Sequence, residues 1–191
     1  GNKFAHIGNV VEGIISVGQK ATVVVDEVAR LNTARNHTAT HLLQKALKDV
    51  LGNHIEQAGS YFSYDRLRFD FTHFAPLTNE EIKEVESIVN NKILLSLPVD
   101  ISEKQLEDAK AMGAMALFGE KYGDIVRVIN VAGYSLELCG GTHVKNTSQI
   151  GSFKIVSENG VASGVRRIEA VTGFGAIDFY NKQESILKDV N

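Results

Sequence analysis

The sequence has little of several residue types, and each shortage excludes a class of protein. Its 191 residues include one cysteine, two prolines and no tryptophan. A single cysteine cannot form an intramolecular disulfide, which excludes the disulfide-linked framework of small secreted domains. No apolar run approaches the roughly 20 residues that a membrane-spanning helix needs, and no signal peptide is recognisable. These shortages predict a cytoplasmic protein that has no membrane partner.

Charge is balanced rather than one-sided. The formal net charge is −3, with 23% charged and 43% apolar residues. That apolar content is enough for a buried core, so the chain is expected to form one domain or one domain with part of another. A net charge of this size does not indicate a nucleic-acid-binding protein, although a local basic patch can still bind one. DNA is not an expected partner.

Two short segments carry the residues with the clearest chemistry. His37 and His41 are four positions apart, and so are Cys139 and His143. Imidazole and thiolate ligands in a set of four are typical of tetrahedral zinc. Residues four apart on a helix are neighbours, so the first two histidines can reach one ion. The two pairs together predict a zinc site.

The first pair lies in a predicted helix over residues 33–51. Asn32 or Thr33 is expected to be its N-cap, and Gly52 is expected to follow its last turn. The apolar residues of this helix fall on one broad face, and His37 and His41 fall on the opposite side. A histidine that only filled the core would lie within the apolar stripe, so the phase of the helix favours metal binding.

The second pair has a different local structure. Gly140 and Gly141 separate Cys139 from the final histidine, and two adjacent glycines are unfavourable inside a helix. The pair is therefore predicted to lie on a tight loop that leaves a strand. Glycines at this place also allow a ligand to come close to the backbone.

Other interpretations of the pairs stay open. The histidines could be solvated surface residues, and Cys139 could be a small buried hydrophobe. A cysteine hydrolase would use Cys139 as nucleophile with His143 as its base. A metalloprotease is disfavoured because Thr38 stands where the catalytic glutamate would follow the first histidine. A site with four protein ligands is more often structural than catalytic.

The remaining pattern predicts an α+β fold in which an antiparallel sheet packs against helices. Runs of β-branched residues at 10–15 and 21–25 predict two strands, interpreted as the tail of a small β-barrel. A capping box at Thr78 predicts the start of a second helix. The other predicted elements are a hairpin at 55–63 and 66–71, strands at 98–101, 125–131, 135–138, 152–157 and 165–171, and helices at 102–112 and 174–190.

Arginines cluster at two places along the predicted strands. Arg66 and Arg68 alternate with apolar residues and point the same way, whereas Arg166 and Arg167 point opposite ways. At most one of the last two would join a face shared with the first two. Arg66, Arg68 and the glycine-flanked Arg166 are candidate contacts to the phosphates of an RNA. A solvated sheet face is the alternative interpretation of all of these residues.

Five motifs resemble the editing domain of alanyl-tRNA synthetases, to which threonyl-tRNA synthetase editing domains and free-standing deacylases are related. The resemblance covers about residues 30–180. The motifs are HTATH from His37, LRFDF from Leu67, GAMALFGEKY from Gly113, ELCGGTH from Glu137 and GVRRIEAVTG from Gly164.

The resemblance implies a hydrolase that removes serine or glycine wrongly attached to tRNA(Ala), whose acceptor end would be the partner. It implies one zinc ion per chain, held by the residues already singled out by spacing. These are His37, His41, Cys139 and His143.

The resemblance also implies a role for Gln57, which matches a glutamine that helps to place the aminoacyl group. Gln57 and hydroxyl residues such as Thr38 or Thr40 are candidates for binding a serine hydroxyl. Zinc is expected to position the substrate or water, while Gln57 and nearby backbone N–H groups stabilise the oxyanion of ester hydrolysis. Gly140 and Gly141 are further candidates for positioning the substrate.

The resemblance extends to domain organisation. Residues 1–29 are expected to be the last strands of a β-barrel domain, residues 30–173 the zinc-containing deacylase domain, and residues 174–191 the start of a helix to a further domain. The implied parent attaches alanine to tRNA(Ala) with ATP and Mg²⁺ in a domain outside this chain. A free-standing deacylase and a zinc-stabilised tRNA-binding module are the alternatives.

Overall fold

The computed structural model of the protein describes residues 5–116 and 122–189. These residues form helices and two antiparallel sheets, which confirms the predicted α+β class. The helices are α1 (Glu27–Leu51), α2 (Asn79–Leu94), α3 (Leu106–Ala111) and α4 (Phe174–Asp189), with a 3₁₀ helix at Thr147–Ile150. The strands are β1 (Gln57–Phe62), β2 (Leu67–Thr72), β3 (Val99–Gln105), β4 (Ile125–Val131), β5 (Ser135–Leu138), β6 (Phe153–Ala162) and β7 (Val165–Thr172).

The strands are divided between a larger and a smaller sheet. The larger sheet has the strand order β1-β2-β7-β6, and the smaller has the order β3-β4-β5. Alternate residues of β2, including Leu67, Phe69 and Phe71, are fully buried. This burial follows the period of two that the sequence predicted for a half-exposed strand.

Helix α1 contacts both sheets, and this placement creates the candidate site. It packs against β1, β2 and β7 of the larger sheet and against β5 of the smaller one. Leu42 and Leu43 are fully buried on its apolar side. His37 and His41 are 5% and 4% exposed, so the polar side of the helix is buried too. The predicted phase of the histidines is correct, but they face a second protein layer rather than water.

The start of α1 differs from the prediction. The helix begins at Glu27, and the side chain of Asp26 accepts a 2.9 Å hydrogen bond from the Ala29 N–H as its N-cap. Thr33 lies inside the helix, where its hydroxyl donates to the Ala29 carbonyl. The predicted end is confirmed, since the Gly52 N–H donates to the Lys48 carbonyl at φ 111°.

The two strands predicted at residues 10–15 and 21–25 are wrong. Residues 5–26 contain no strand, and Val11 and Val17 are almost completely exposed. A strand needs a neighbour for its backbone groups, and no described residue provides one for these segments. Their β-branched composition alone does not form a sheet. The assignment of residues 1–29 to a barrel domain stays a prediction.

The other elements follow the prediction with shifted bounds. The 57–72 hairpin and the capping box between Thr78 and Glu81 are confirmed. Strand β3 continues to Gln105 because all of its residues pair with β4, so the following helix begins later than predicted. The 3₁₀ helix was not predicted. Residues 117–121 of the GAMALFGEKY motif, and Val190, lie outside the described residues.

No helix in the described parts of the chain is both long and apolar enough to cross a membrane.

Asn90 connects α2 to β6 at the edge of the larger sheet. Its side-chain amide donates to the Phe153 carbonyl and accepts from the Phe153 N–H, both at 2.9 Å. Because Phe153 is fully buried, the Asn90→Ala variant leaves two backbone groups unpaired. We expect its free energy of unfolding to fall by about 2–3 kcal/mol, measured by urea denaturation. The exposed neighbour variant Asn91→Ala is the control, and an equal loss in both variants would contradict this role.

Candidate metal centre

The structure brings together the four side chains that the sequence predicted as metal ligands. His37 and His41 come from α1, and Cys139 and His143 come from the loop after β5. One ligand atom from each residue lies within 4.8 Å of all the others. Among the described residues this is the group whose composition and spacing could hold a metal ion.

The contacts around the thiol agree with tetrahedral coordination. The Cys139 Sγ atom lies 3.2 Å from His37 Nε2 and 3.4 Å from His143 Nε2. Typical zinc–sulfur and zinc–nitrogen bonds at a tetrahedral angle place the two ligand atoms about 3.6 Å apart. The sulfur and nitrogen atoms are therefore already near the separation that a shared ion requires.

The imidazoles are held in the neutral state that can bind a metal. Burial lowers the pKa of His37 to about 3, that of His41 to about 4 and that of His143 to about 2. The mutual repulsion of the three rings contributes to the lowering at His37 and His143. A protonated imidazole has no lone pair to donate, so this environment favours ligation over ion pairing.

A hydroxyl orients the third histidine. His143 Nδ1 lies 3.1 Å from Thr38 Oγ1, which also accepts a hydrogen bond from the Val144 N–H. This contact leaves His143 Nε2 directed at Cys139. Thr38 is fully buried and does not line the cavity beside the ligands. Its position therefore favours ligand orientation instead of the predicted contact with substrate.

The carboxyl group of Glu137 orients the ring of His41, as Thr38 orients that of His143. His41 Nδ1 lies 3.5 Å from Glu137 Oε2, and the other oxygen of Glu137 accepts a hydrogen bond from the Ser135 hydroxyl. Burial raises the pKa of Glu137 to about 7. A carboxyl group behind a histidine ligand is a recurrent support of metal sites, since it fixes the orientation of the ring.

The loop packs closely against the helix. A Cβ atom at Gly141 would lie 2.0 Å from His37 Cε1, so any side chain there would displace the ring. The His37 ring also stacks on Phe62 at a centroid distance of 3.6 Å. The guanidinium of Arg127 donates to the carbonyls of Cys139 and Gly141. The predicted loop is confirmed, and a basic side chain that the sequence did not indicate holds it.

A cavity of about 230 Å³ opens beside the four ligands. The predicted residues Gln57, Thr40, Gly140 and Gly141 line it. The Gln57 amide donates to Ser60 Oγ at 3.3 Å. The remaining lining residues are His37, His41, Gln44, Ser60, Phe62, Met115, Ala116, Glu137, Leu138 and Cys139.

Several residues of this site were not predicted from the sequence. Glu137 stands two positions before the cysteine on β5, and Arg127 faces the loop from β4. Gln44 is seven positions after His37, a spacing that returns to the same helix face. That last signal was present in the sequence, whereas the contacts of Glu137 and Arg127 depend on the pairing of β4 with β5.

The three candidate RNA-binding arginines do not share one face. Arg66 lies 3.8 Å from Glu169, and Arg68 lies 3.7 Å from Asp70 on the outer face of the larger sheet. Strand alternation places Arg167, not Arg166, on that face. A surface shared with Arg66 and Arg68 would therefore include Arg167 rather than Arg166. The contact of Arg166 with phosphate stays a prediction.

Ion pairs occupy both arginines of β7. Arg167 donates two 2.7 Å hydrogen bonds to Asp70, the residue opposite it on β2. Arg166 makes a two-point contact with Glu158 on the other face. Both guanidinium groups therefore have carboxylate partners within the domain.

Comparisons with known proteins match both the domain and the chain. Residues 126–169 match the family described as the threonyl and alanyl tRNA synthetase second additional domain. The chain is 62% identical over 184 residues to an alanine–tRNA ligase of Geobacillus kaustophilus, which aligns with 96% of this chain. This chain is homologous to a segment of alanine–tRNA ligases. The resemblance predicted from the motifs is confirmed.

Other alanine–tRNA ligases give the same result. Those of Acetivibrio thermocellus and Bacillus subtilis are 57% and 58% identical over 188 and 186 residues, and align with 98% and 97% of this chain. The chain spans about a fifth of the length of these relatives, 21% in each case.

Gly141 and Gly140 provide a matched test of the metal centre. We expect Gly141→Ala to lose most of its bound zinc, because the added methyl group occupies the place of the His37 ring. Gly140→Ala should keep it, since a Cβ there meets no atom within 4 Å. Elemental analysis after dialysis against a stoichiometric amount of zinc measures the difference. Equal zinc content in the two variants would contradict this packing.

The stability of the metal-free chain should depend on pH. Below pH 6.5 the unfolded chain protonates its histidines, whereas the three buried rings stay neutral in the fold. Glu137 opposes this effect by one proton, since its pKa is raised from 4.5 to about 7. The net difference of about two protons predicts that the free energy of unfolding falls by about 2–3 kcal/mol per pH unit from pH 6.5 to 4.5.

Urea denaturation at several pH values in the presence of a chelator measures this slope. Glu137→Gln removes the opposing proton, so its slope should steepen to about 4 kcal/mol per pH unit. A free energy of unfolding that stays constant in this window would contradict the buried neutral state of the histidines.

Proposed function

We propose that this chain forms the editing region of an alanine–tRNA ligase and hydrolyses the ester of serine or glycine wrongly attached to tRNA(Ala). One observation carries the proposal: a small cavity lies directly beside the His37, His41, Cys139 and His143 cluster. The homology to alanine–tRNA ligases supports the choice of tRNA and amino acids.

A ligase that must distinguish alanine from glycine and serine needs a second, hydrolytic site. A synthetic site that fits alanine cannot exclude the smaller glycine, and it rejects the added hydroxyl of serine only weakly. A second site that hydrolyses the wrong product supplies the missing selectivity. A cavity of about 230 Å³ suits a small aminoacyl group at the end of a tRNA.

The donor set favours zinc as the metal. One sulfur and three imidazole nitrogens form a ligand set that zinc accepts, and their separations suit its tetrahedral geometry. Zinc held by these four side chains would supply a fixed positive charge at the wall of the cavity. The neutral state of the histidines leaves their lone pairs available for it.

The chain itself offers groups for the rest of the reaction. The backbone N–H groups of Gly140 and Gly141 have no hydrogen-bond acceptor within the described residues, and both glycines line the cavity. They can donate to the oxygen that becomes negative when water attacks the ester. Gln57 also lines the cavity and can position the aminoacyl group. An aminoacyl ester is reactive, so a positioned water can suffice without a strong protein base.

The thiol-hydrolase alternative is less well supported. It requires a histidine that accepts the Cys139 proton and stays protonated beside the thiolate. Burial lowers the pKa of His37 and His143 far below neutrality, so neither ring holds that proton readily.

Further parts of the proposal concern the whole protein. The parent would attach alanine to tRNA(Ala) with ATP and Mg²⁺ and would act in the cytoplasm. The acceptor end of the tRNA would enter the cavity. Arg66 and Arg68 stay candidates for phosphate contacts, although each has an acidic neighbour within 4.0 Å.

The direct test is release of serine from Ser-tRNA(Ala) by this chain, with and without a chelator. We expect the chelator, Cys139→Ser and His41→Ala each to reduce the rate by about a hundredfold or more, in line with loss of ligands or their support. His54→Ala is the control, since His54 is exposed and outside the cavity.

Other outcomes of this assay would indicate a different function. Release that resists the chelator but is lost in Cys139→Ser would indicate the thiol hydrolase. Binding of tRNA(Ala) without release would indicate a zinc-stabilised binding module. Full activity in both ligand variants would rule out the metal-centre account.

A further inference from the structure

Gln44 is a buried polar side chain that the proposed reaction has not used. It is 6% exposed, lines the cavity and lies on the α1 face that carries His37 and His41. Its position seven residues after His37 and three after His41 places the three side chains within about 60° around the helix. Gln44 therefore borders the same space as the metal ligands.

The carboxamide of Gln44 has no hydrogen-bond partner among the described residues. Its nitrogen and oxygen are not among the fully buried unpaired atoms, so they border the open cavity, where a water or a ligand can bind them. Its neighbours in the cavity differ in this respect. The Gln57 amide donates to Ser60, and the Thr40 hydroxyl donates to the Asn36 carbonyl.

The chemistry of a carboxamide matches a hydroxyl group. Gln44 offers both a donor and an acceptor, and a hydroxyl is also both. The α-ammonium group of an aminoacyl ester only donates hydrogen bonds, so a carboxylate binds it better than an amide does. The side chain of glycine is a hydrogen atom, which offers the amide no hydrogen-bonding group. Glu137 is the carboxylate of this cavity, and Ser135 and His41 already lie against it.

We propose that Gln44 determines specificity by binding the side-chain hydroxyl of a seryl ester in the cavity. This inference rests on the proposed function. It assigns the recognition of serine to Gln44, and leaves the fully buried Thr38 to the orientation of His143. Glycine would then be admitted by size alone, and alanine would enter against an amide that it cannot satisfy.

The test compares two substrates in one variant. Gln44→Met keeps the unbranched shape and helix propensity but removes both hydrogen-bonding groups. We expect kcat/KM for Ser-tRNA(Ala) to fall about tenfold or more, and kcat/KM for Gly-tRNA(Ala) to change less than about threefold. Zinc content should equal that of the wild type. Gln183→Met, an exposed glutamine on α4, is the matched control.

Three results would overturn the proposal. An equal fall in kcat/KM for both esters would mean that Gln44 binds a group that the seryl and glycyl esters share. Unchanged kinetics would remove it from recognition, and loss of zinc would make it a support of the metal centre. Gln44→Leu repeats the comparison if the methionine variant fails to fold.

Binding measurements separate this proposal from the proposed function. The probes are the serine and glycine amides of 3′-amino-3′-deoxyadenosine, which cannot be hydrolysed as esters, and calorimetry measures their affinity. We expect the wild type to prefer the serine amide and Gln44→Met to lose the preference, even if the chain hydrolyses neither ester. A wild type that binds the two amides equally would overturn the role of Gln44.

Discussion

Three histidine rings and a thiol meet in a space from which the fold largely excludes water. This burial follows from the position of α1, whose apolar side packs on the larger sheet while its polar side meets the loop after β5. Desolvation keeps the rings neutral. It also leaves four ligand atoms with lone pairs within 4.8 Å of one another. A bound metal would accept these lone pairs and so stabilise the arrangement.

The surroundings of the cluster all serve to hold that geometry. Arg127 binds two carbonyls of the loop, and Gly141 allows the loop to approach the His37 ring. Thr38 and Glu137 support the two rings on either side. These contacts come from three separate parts of the chain, so the site forms only when both sheets have assembled around α1. A metal held by these four side chains would fix one wall of the adjoining cavity.

The outer face of the larger sheet has a different balance of charge. Arg167 and Arg68 both lie against Asp70, and Arg66 lies near Glu169. Pairs of this kind on an accessible face contribute little to stability, because water and salt screen them. They would nevertheless compete with phosphate for the same guanidinium groups. Any RNA contact there must exchange one anionic partner for another, which limits its contribution to affinity.

Local patterns in the sequence determined a large part of this protein. The alternation in β2, the capping box at Thr78 and the glycines after Cys139 each predicted the element that forms there. The spacing of the histidines predicted two ligands on one helix face. These features depend on residues within a few positions of each other, where propensity and periodicity act directly.

Tertiary structure alone decided the rest. The valine-rich segments before α1 have strand composition, yet without a neighbouring strand they stay unpaired and exposed. The choice between Arg166 and Arg167 depended on which face of β7 lies outward. The roles of Glu137 and Arg127 required β4 and β5 to pair beside α1, about a hundred residues away in sequence. Spacing identified the four ligands, but only the packing of α1 against both sheets made their environment dry enough to keep them neutral.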